Sequence, residues 1–595
     1  MVNGRLYRAS FLPFVLALFV AAFSLGKEPA PATSQLAPNA FEGTRATAEL
    51  PRLERLFPAR RPGSPGDNDL AAYVARTLRS LGRAANGGFT VRAVSTIGQT
   101  IEGERRLETV IAERPGSTGL APIVIVAHRD AAERGSEAEL SGTVALIELG
   151  RVFAARQTRR AIILVSTSGG SGGNAGARSL ASLLGTQPDA ALVLGDVAGT
   201  RARQPIVLSF GEGAQSAPLV LQRTVTAAIE RGVSVAVGRA STVSQLAHLV
   251  FPFAAAEAAP LNGSGIGAVQ LQVSGESGPA ANTPVSGERL TAFGRAALEA
   301  VDALDGAGEL EEGQRAAVVL TPHVLPGWAI ALVLYTLLLP AAVAIVDAAA
   351  RSRRRRLPLA RTVAWALSCA APFFAAALFV VLLAALGVMG PTPPGAILPR
   401  AIPLTGSALG ALLATVLVFV LAWLGWLALL RRVGLSRLPD VEVGGVAVMS
   451  VLLVAAAASI PFAPYTLLLA LPALHLWLLL ADPDLRPPRF AGMLLVAAGL
   501  AALAALVVFY AVHYGYDLPQ LAWSAMNLVA SGQVTVAGAL LWSAGLGCAA
   551  GAALLVMAPE STPERGDGER KISIRGPVGY AGPGSLGGTE SALRR

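Results

Sequence analysis

Apolar and polar positions follow two different patterns along this chain. Residues 40–310 alternate short apolar runs with amphipathic stretches, whereas residues 324–558 are almost continuously apolar. A helix needs about 20 apolar residues to cross a bilayer, because each residue advances about 1.5 Å and lipid offers no partner to an unbonded amide. The pattern therefore predicts a globular part followed by a membrane-spanning part.

Seven runs in the apolar part are long enough to span a membrane. They cover residues 325–347, 363–388, 406–430, 442–460, 463–481, 490–512 and 534–557. An eighth run, residues 11–25, follows Arg5 and Arg8 and precedes a Pro- and Ala-rich stretch. It is either an uncleaved signal anchor, which we favour, or a cleaved signal peptide.

Arginines cluster in the connections between these runs. Six lie between Arg351 and Arg361, and others are Arg431, Arg432, Arg437, Arg486 and Arg489. The positive-inside rule places such loops in the cytoplasm. Strict alternation then predicts a multi-pass protein of the plasma membrane with about eight spans, residues 27–322 extracytoplasmic and both termini cytoplasmic. The net charge of +9 is thus a topology signal, and no nucleic-acid partner is expected.

Composition supports the same class of protein. Hydrophobic residues make up 53% and charged residues 15%, against about 25% charged residues in ordinary soluble chains. Both cysteines lie in the apolar part, so a disulfide scaffold is excluded. Richness in Ala, Arg, Gly and Pro favours a bacterial source.

Strands and helices are predicted to alternate in the globular part. The strands cover residues 90–94, 108–112, 122–127, 161–166, 190–194, 206–210 and 268–273, and the helices residues 69–81, 142–155, 175–184, 217–231 and 287–304. This alternation favours an α/β sandwich with a largely parallel central sheet, joined to an all-α polytopic transmembrane bundle. In such sheets, functional residues gather beyond the carboxyl ends of the strands.

The predicted organisation has five segments. They are a cytoplasmic N terminus with its anchor or signal peptide (1–26), a Pro/Ala-rich linker (27–54), an extracytoplasmic α/β domain (55–310), a seven-helix transmembrane domain (323–558) and a disordered cytoplasmic tail (559–595).

Short motifs near the strand ends resemble metallopeptidase family twenty-eight, the co-catalytic zinc aminopeptidases and carboxypeptidases. In chain order they are Gly63-Ser64-Pro65-Gly66, His128-x-Asp130, Ser141-Gly142, Gly176-Ala177-Arg178, Gly195-Asp196-Val197 and Gly265-Ile266-Gly267-Ala268-Val269. The resemblance covers roughly residues 55–305 and implies the zinc-exopeptidase fold. An amino-terminal span, this ectodomain and seven further spans are also similar in layout to the Gaa-type subunit of the glycosylphosphatidylinositol transamidase.

The resemblance further implies two zinc ions held by five side chains, with a glutamate that activates the bound water. His128 and Asp196 match metal-ligand positions, and Asp130 matches the residue that supports them. The bridging carboxylate position falls on Ala138, beside Glu139.

Two further positions depart from the family pattern. The Glu-Glu pair that contains the general base falls on Gly170 and Ser171. Where the late Ser-Asp-His is expected the chain has Ser-Gln-Leu, with His248 two residues beyond. We therefore expect a remnant site without a cofactor; if the site is functional, zinc held by His128, Asp196, Glu139 and His248 is the cofactor.

Three functions remain open from the sequence. The first is a catalytically inactive, membrane-anchored module that binds or positions a peptide or protein partner; the missing Glu-Glu pair favours it. The second is an active zinc exopeptidase with a non-standard ligand set. The third is a transporter or lipid-handling protein with a receptor ectodomain. For this third function His475, an ionisable residue within a predicted span, is the candidate residue, although a neutral histidine bonded to a neighbouring helix is favoured.

The serine- and glycine-rich loop at residues 166–173 precedes a predicted helix. Its backbone amides either form an anion-binding row or belong to a plain loop.

Overall fold

The computed structural model describes residues 4–34, 38–83, 88–308, 310, 316–404, 406–432, 439–481 and 487–558. The predicted tail at 559–595 and the loop residues Arg437 and Arg486 lie outside this set. Residues Met1–Val556 form one compact unit, and Met557–Arg595 is assigned to a second.

A seven-stranded mixed sheet lies at the centre of the globular part. Its strands are β2 (Thr90–Thr100), β3 (Gly103–Arg114), β4 (Ile123–His128), β5 (Ile162–Thr167), β6 (Ala190–Leu194), β7 (Val207–Leu208) and β8 (Ala268–Leu271), and their spatial order is β2-β3-β5-β4-β6-β8-β7. β5, β4, β6 and β8 are parallel to one another, whereas β2, β3 and β7 are antiparallel to their neighbours. The predicted parallel sheet is therefore confined to its centre, where each strand is buried on both faces.

Helices cover both faces of this sheet. They are α3 (Gly43–Leu56), α4 (Pro65–Arg83), α5 (Glu137–Ala154), α6 (Ala175–Leu183), α7 (Leu219–Gly232), α9 (Ala258–Gly263) and α10 (Gly287–Gly306). Between α7 and α9 lies α8 (Thr242–Val250), whose buried residues Leu249 and Val250 belong to the cluster of the apolar helices. Ile123 and Ile125 belong to one buried cluster with residues of α3, α4, α5, α7 and α10, and the alternate residues Val124 and Val126 belong to another with residues of α6 and α9. The result is a three-layer α/β architecture.

The segment predicted as a linker contributes to this core. Within residues 27–54 lies most of α3, whose Leu50 and Leu53 are fully buried in the same cluster as the sheet. The linker prediction is therefore wrong for residues 43–54. It extended the Pro/Ala-rich character of residues 27–38 to residues that have the amphipathic spacing of a helix.

Apolar helices make up the second half of the chain. They are α11 (Gly327–Arg354), α12 (Leu359–Ser368), α13 (Ala371–Ala385), α14 (Ser407–Arg432), α15 (Val441–Ser459), α16 (Leu467–Leu476), α17 (Arg489–Gly499), α18 (Ala501–Tyr514), α19 (Leu518–Ala530) and α20 (Val536–Met557), to which α1 (Gly4–Ala9) and α2 (Leu12–Phe23) add an N-terminal pair. Within the described ranges, six helices are long and apolar enough to cross a membrane, or seven if one bent pair counts as a single span.

Two of the predicted eight spans differ from continuous helices. The span predicted at 463–481 is a shorter helix with Pro472 inside it. The span predicted at 490–512 is bent by 54° between α17 and α18. Near this bend the Trp477 indole donates to the Leu495 carbonyl at 3.2 Å, which is the kind of inserted side-chain contact that kinks a helix.

A small sheet links the globular part to the membrane helices. β1 (Gly26–Lys27) pairs with β10 (His323–Pro326), which pairs in turn with β9 (Ala317–Leu320) and leads directly into α11. Below it, His475 lies between two helices: the Tyr7 hydroxyl is 2.8 Å from its Nδ1, and its Nε2 donates to the Leu337 carbonyl at 3.0 Å. Both ring nitrogens of this histidine are thus engaged by neighbouring helices.

Candidate functional site

A cavity of about 40 Å³ lies at the carboxyl ends of the parallel strands. Its polar lining consists of His128, Glu139, Ser171, Asp196, Glu257, Gln270, Gln272, Glu276 and Arg400. His128, Glu139 and Asp196 therefore lie around one site, as the sequence predicts, together with Gly170 and Ser171. His248 does not line it. The volume accommodates a few water molecules at most.

His128 is held by a carboxylate that sequence reasoning missed. Its Nδ1 donates to Glu257 Oε2 at 2.9 Å, and the Thr167 hydroxyl donates to the other oxygen of Glu257 at 3.1 Å. Both members of the pair are buried. Burial alone would lower the pKa of His128, but the charge of Glu257 and its hydrogen bond raise it to about 9. The ring is accordingly an imidazolium at neutral pH.

Gly170 lies directly against this ring. A Cβ at that position would be 2.5 Å from both Cβ and Cγ of His128. Gly170 therefore leaves the space that the histidine ring occupies, and a larger side chain at 170 requires the ring to move.

Asp130 binds the serine- and glycine-rich loop. Its carboxylate accepts the amides of Gly169, Gly170 and Ser171 at 2.8–3.0 Å, and the Ser171 hydroxyl at 2.5 Å. The row of amides considered as an anion site is thus occupied by a carboxylate of the protein itself. Asp130, expected to support the metal ligands, instead holds this loop.

Glu139 lies in the first turn of α5 and is buried. Burial raises its pKa to about 7, while the positive charges of His128 and Arg400 partly oppose the rise. Asp196, at the end of β6, accepts the amides of Ala198 and Gly199 at 3.1 and 2.7 Å. Burial raises the pKa of Asp196 as well.

The membrane part contributes one wall of the cavity. Ala396, Leu398 and Arg400, from the connection between α13 and α14, line it. Arg400 donates to the Ser277 carbonyl. The same connection is held from behind, where Asn527 donates to the Pro393 carbonyl and Tyr516 to the Ile397 carbonyl, each at 2.8 Å. We call residues 390–400 the roof segment, because they close the strand-end cavity.

His248 belongs to a different cluster. Its Nδ1 donates to the Ser244 carbonyl at 2.8 Å, and its Nε2 lies 3.3 Å from Glu276 Oε2. From the end of α18, His513 Nε2 lies 2.7 Å from the same oxygen, and the Tyr514 hydroxyl donates to Glu276 Oε1 at 2.8 Å. The prediction of His248 as a ligand beside His128 is therefore wrong: α8 directs this histidine toward the membrane helices.

Charge explains the stability of this cluster. Burial would raise the pKa of Glu276, but the two histidines hold it well below its usual range, and Glu276 in turn raises the pKa of His248. One ionised carboxylate thus joins the globular part to α18.

The residues present do not fit a pair of zinc ions. The resemblance places the bridging carboxylate at Ala138 and the Glu-Glu pair at Gly170 and Ser171, and none of these three residues supplies a carboxylate. Because Nδ1–H is donated to Glu257, a metal at His128 would bind Nε2, and it would have to displace the Nε2 proton that the ring keeps while its pKa is about 9. In the part of the chain that the structure describes, no group of three His, Cys, Asp or Glu side chains is arranged to hold a metal ion.

Glu257, Glu276 and Arg400 were not predicted. Glu257 and Glu276 had a weak signal, because each is an isolated acidic residue in a largely uncharged stretch, and a buried charge requires a partner. Arg400 had none, since its separation in sequence from His128 gives no indication of contact.

No family model matches this chain, and no curated protein matches it. Solved structures similar to part of it include a glutaminyl cyclase of Porphyromonas gingivalis (15% identity, 44% of this chain and 99% of that chain, TM-score 0.33). They also include LapB of Legionella pneumophila (13%, 49% and 81%, TM-score 0.38) and a leucine aminopeptidase precursor of Bacteroides thetaiotaomicron (16%, 44% and 97%, TM-score 0.35).

Proposed function

We propose that this chain is a polytopic membrane protein whose extracytoplasmic α/β domain is a non-catalytic binding or scaffold module. The observation that carries the proposal is Gly170, which packs against the His128 ring where the resemblance expects the Glu-Glu pair. A hydrolytic centre at this place needs a carboxylate where Gly170 stands and an open path to the strand ends. The cavity beneath the roof segment instead has room for only a few waters.

Fixed attachment of the α/β domain supports a positioning role. Glu276 binds two residues of α18, Arg400 binds Ser277, and β1 pairs with β10. Contacts of this kind hold a domain in one orientation on its membrane anchor. A partner peptide or protein bound to the α/β domain would then be held at a defined height above the bilayer.

The proposal includes the topology predicted from the arginines. Connections that contact the α/β domain, at the start of α16, the end of α18 and the roof segment, are those assigned to the outer side. Arg355, assigned to the inner side, pairs with Glu442 at the start of α15, also assigned there. The N-terminal helices pack on α11 and are taken to be an uncleaved anchor.

Elemental analysis and turnover of the purified full chain test the absence of catalysis. We expect substoichiometric zinc, and the same background rate for the parent and His128→Ala with aminoacyl nitroanilides and with a peptide bearing N-terminal glutamine. The two substrates correspond to the activities named for the similar solved structures.

Stoichiometric zinc, with turnover that disappears on chelation and in His128→Ala, would establish an enzyme and overturn the proposal.

A further inference from the structure

A second cavity lies at the β7 edge of the sheet, between α7, β7 and β9. Its volume is about 110 Å³, and two arginines, Arg223 and Arg239, line it together with Glu28. Glu28 follows the short strand β1, so the chain that leaves the N-terminal helix delivers this carboxylate to the cavity.

One carboxylate is shared by the two guanidinium groups. Arg223 Nε lies 3.2 Å from Glu28 Oε1, and Arg239 Nη1 lies 3.0 Å from Glu28 Oε2 and from the Thr321 hydroxyl. Two positive charges therefore face one negative charge, and the cavity keeps a net positive charge.

Arg223 also has donors to spare. Its Nη1 atom is buried and has no hydrogen-bond acceptor among the described residues, and its Nε, although 3.2 Å from Glu28 Oε1, makes no hydrogen bond of good geometry there. A buried guanidinium N–H without an acceptor is unfavourable, and a planar fork of such donors matches the oxygens of a carboxylate or phosphate. The space beside Arg223 is large enough for such a group.

The cavity is near the expected bilayer surface. α2 ends at Phe23, shortly before Glu28, and α11 begins at Gly327, shortly after Thr321. Even fully extended, connections of this length span only about 20 Å. Lipid phosphates occupy a layer of about 5–8 Å outside each face of the hydrocarbon core. An anionic lipid headgroup is therefore one candidate source of an oxyanion for this cavity.

We propose that this cavity is an oxyanion-binding site that takes a phosphate group through Arg223 and Arg239, with Glu28 as an internal competitor. The phosphate belongs either to an anionic lipid headgroup or to a soluble phosphate compound, and the chemistry of recognition is the same for both.

Binding to the purified full chain tests the site in two arms. The first arm titrates inorganic phosphate and glycerol 3-phosphate at constant ionic strength. The second counts bound phosphatidylglycerol, against phosphatidylcholine, by native mass spectrometry of protein in mixed micelles. We expect Arg223→Gln and Arg239→Gln to weaken binding by about tenfold or more, because each removes charge-assisted hydrogen bonds. Glu28→Gln is expected to tighten it.

Arg231→Gln is the matched control, since Arg231 is on the same helix and pairs with Glu299 outside the cavity. Binding in the lipid arm alone identifies a headgroup site, and binding in the soluble arm alone identifies a free phosphate compound. If neither probe binds, or if Arg231→Gln weakens binding as much as Arg239→Gln, the site holds only water and the proposal is overturned. Should Arg223→Gln fail to fold, Arg239→Gln and Glu28→Gln still decide the question.

Discussion

Replacing Glu257 with alanine tests the ion pair that holds His128. The substitution removes the acceptor of His128 Nδ1 and of the Thr167 hydroxyl and leaves both groups buried. Removal of one member of a buried ion pair lowers the free energy of unfolding by about 3–5 kcal/mol, because the remaining charge has no partner.

The pKa of His128 gives a second route to this magnitude. Burial alone would lower the value, but Glu257 raises it from 6.5 to about 9. A difference of about 2.5 between the folded and unfolded values corresponds to roughly 3 kcal/mol. Because folding raises this pKa, the stabilisation is complete below pH 6.5 and is lost as the pH rises through about 9.

Thermal unfolding of the full chain in detergent, monitored by circular dichroism, measures the loss of stability in Glu257→Ala. All seven tryptophans lie beyond residue 323, so tryptophan fluorescence does not report directly on the α/β domain. A loss of about 3 kcal/mol lowers the melting temperature of a domain of this size by roughly 6–12 °C. We expect the melting temperature of Glu257→Ala to lie below that of the parent near pH 6, and we expect this difference to shrink near pH 9.5.

Glu230→Ala, which removes an exposed acid at the end of α7, is the control and should leave melting unchanged. An unchanged melting temperature for Glu257→Ala at pH 6 would refute the buried ion pair. So would a deficit of equal size at both pH values, since a neutral hydrogen bond has no such pH dependence.

Three further substitutions test other contacts. Gly170→Ala places a Cβ 2.5 Å from His128, and we expect a loss of about 1–3 kcal/mol in the same melting experiment. Burial raises the pKa of Glu139 from 4.5 to about 7, so ionisation of Glu139 destabilises the folded state. We therefore expect the free energy of unfolding of Glu139→Gln to exceed that of the parent by roughly 3 kcal/mol near pH 8 and to equal it near pH 4. Glu276→Ala leaves His513 without its acceptor. We expect limited proteolysis to cleave the variant between the α/β domain and the membrane helices faster than it cleaves the parent. Equal cleavage rates would show that this carboxylate does not join the α/β domain to the membrane helices.

The centre of the sheet was predictable because its strands are short, nearly continuous apolar runs. β4, β5 and β6 begin and end within one residue of their predicted bounds. β1, β9 and β10 were missed, since strands this short carry too few residues to show a period. α3 was missed because it follows a Pro-rich stretch that suggested a linker.

The sequence predicted those site residues whose positions follow directly from the strand or helix that carries them. His128 and Asp196 follow parallel strands, and the ends of parallel strands meet at one edge. Glu139 joins them because α5 begins at the same edge. His248 was misplaced because its helix, α8, packs toward α18 rather than over the sheet. Contacts such as Arg400 with Ser277 depend on how the membrane helices dock, which no local pattern encodes.

The roof segment also bears on the order in which the protein matures. The ribosome completes the strands and helices of the α/β domain well before α13 and α14 have been made and inserted. During that interval the strand ends lack the wall supplied by Leu398 and Arg400. Sealing of the pocket is thus a late event in biogenesis, and a nascent chain halted after α11 would carry the domain with its pocket uncovered.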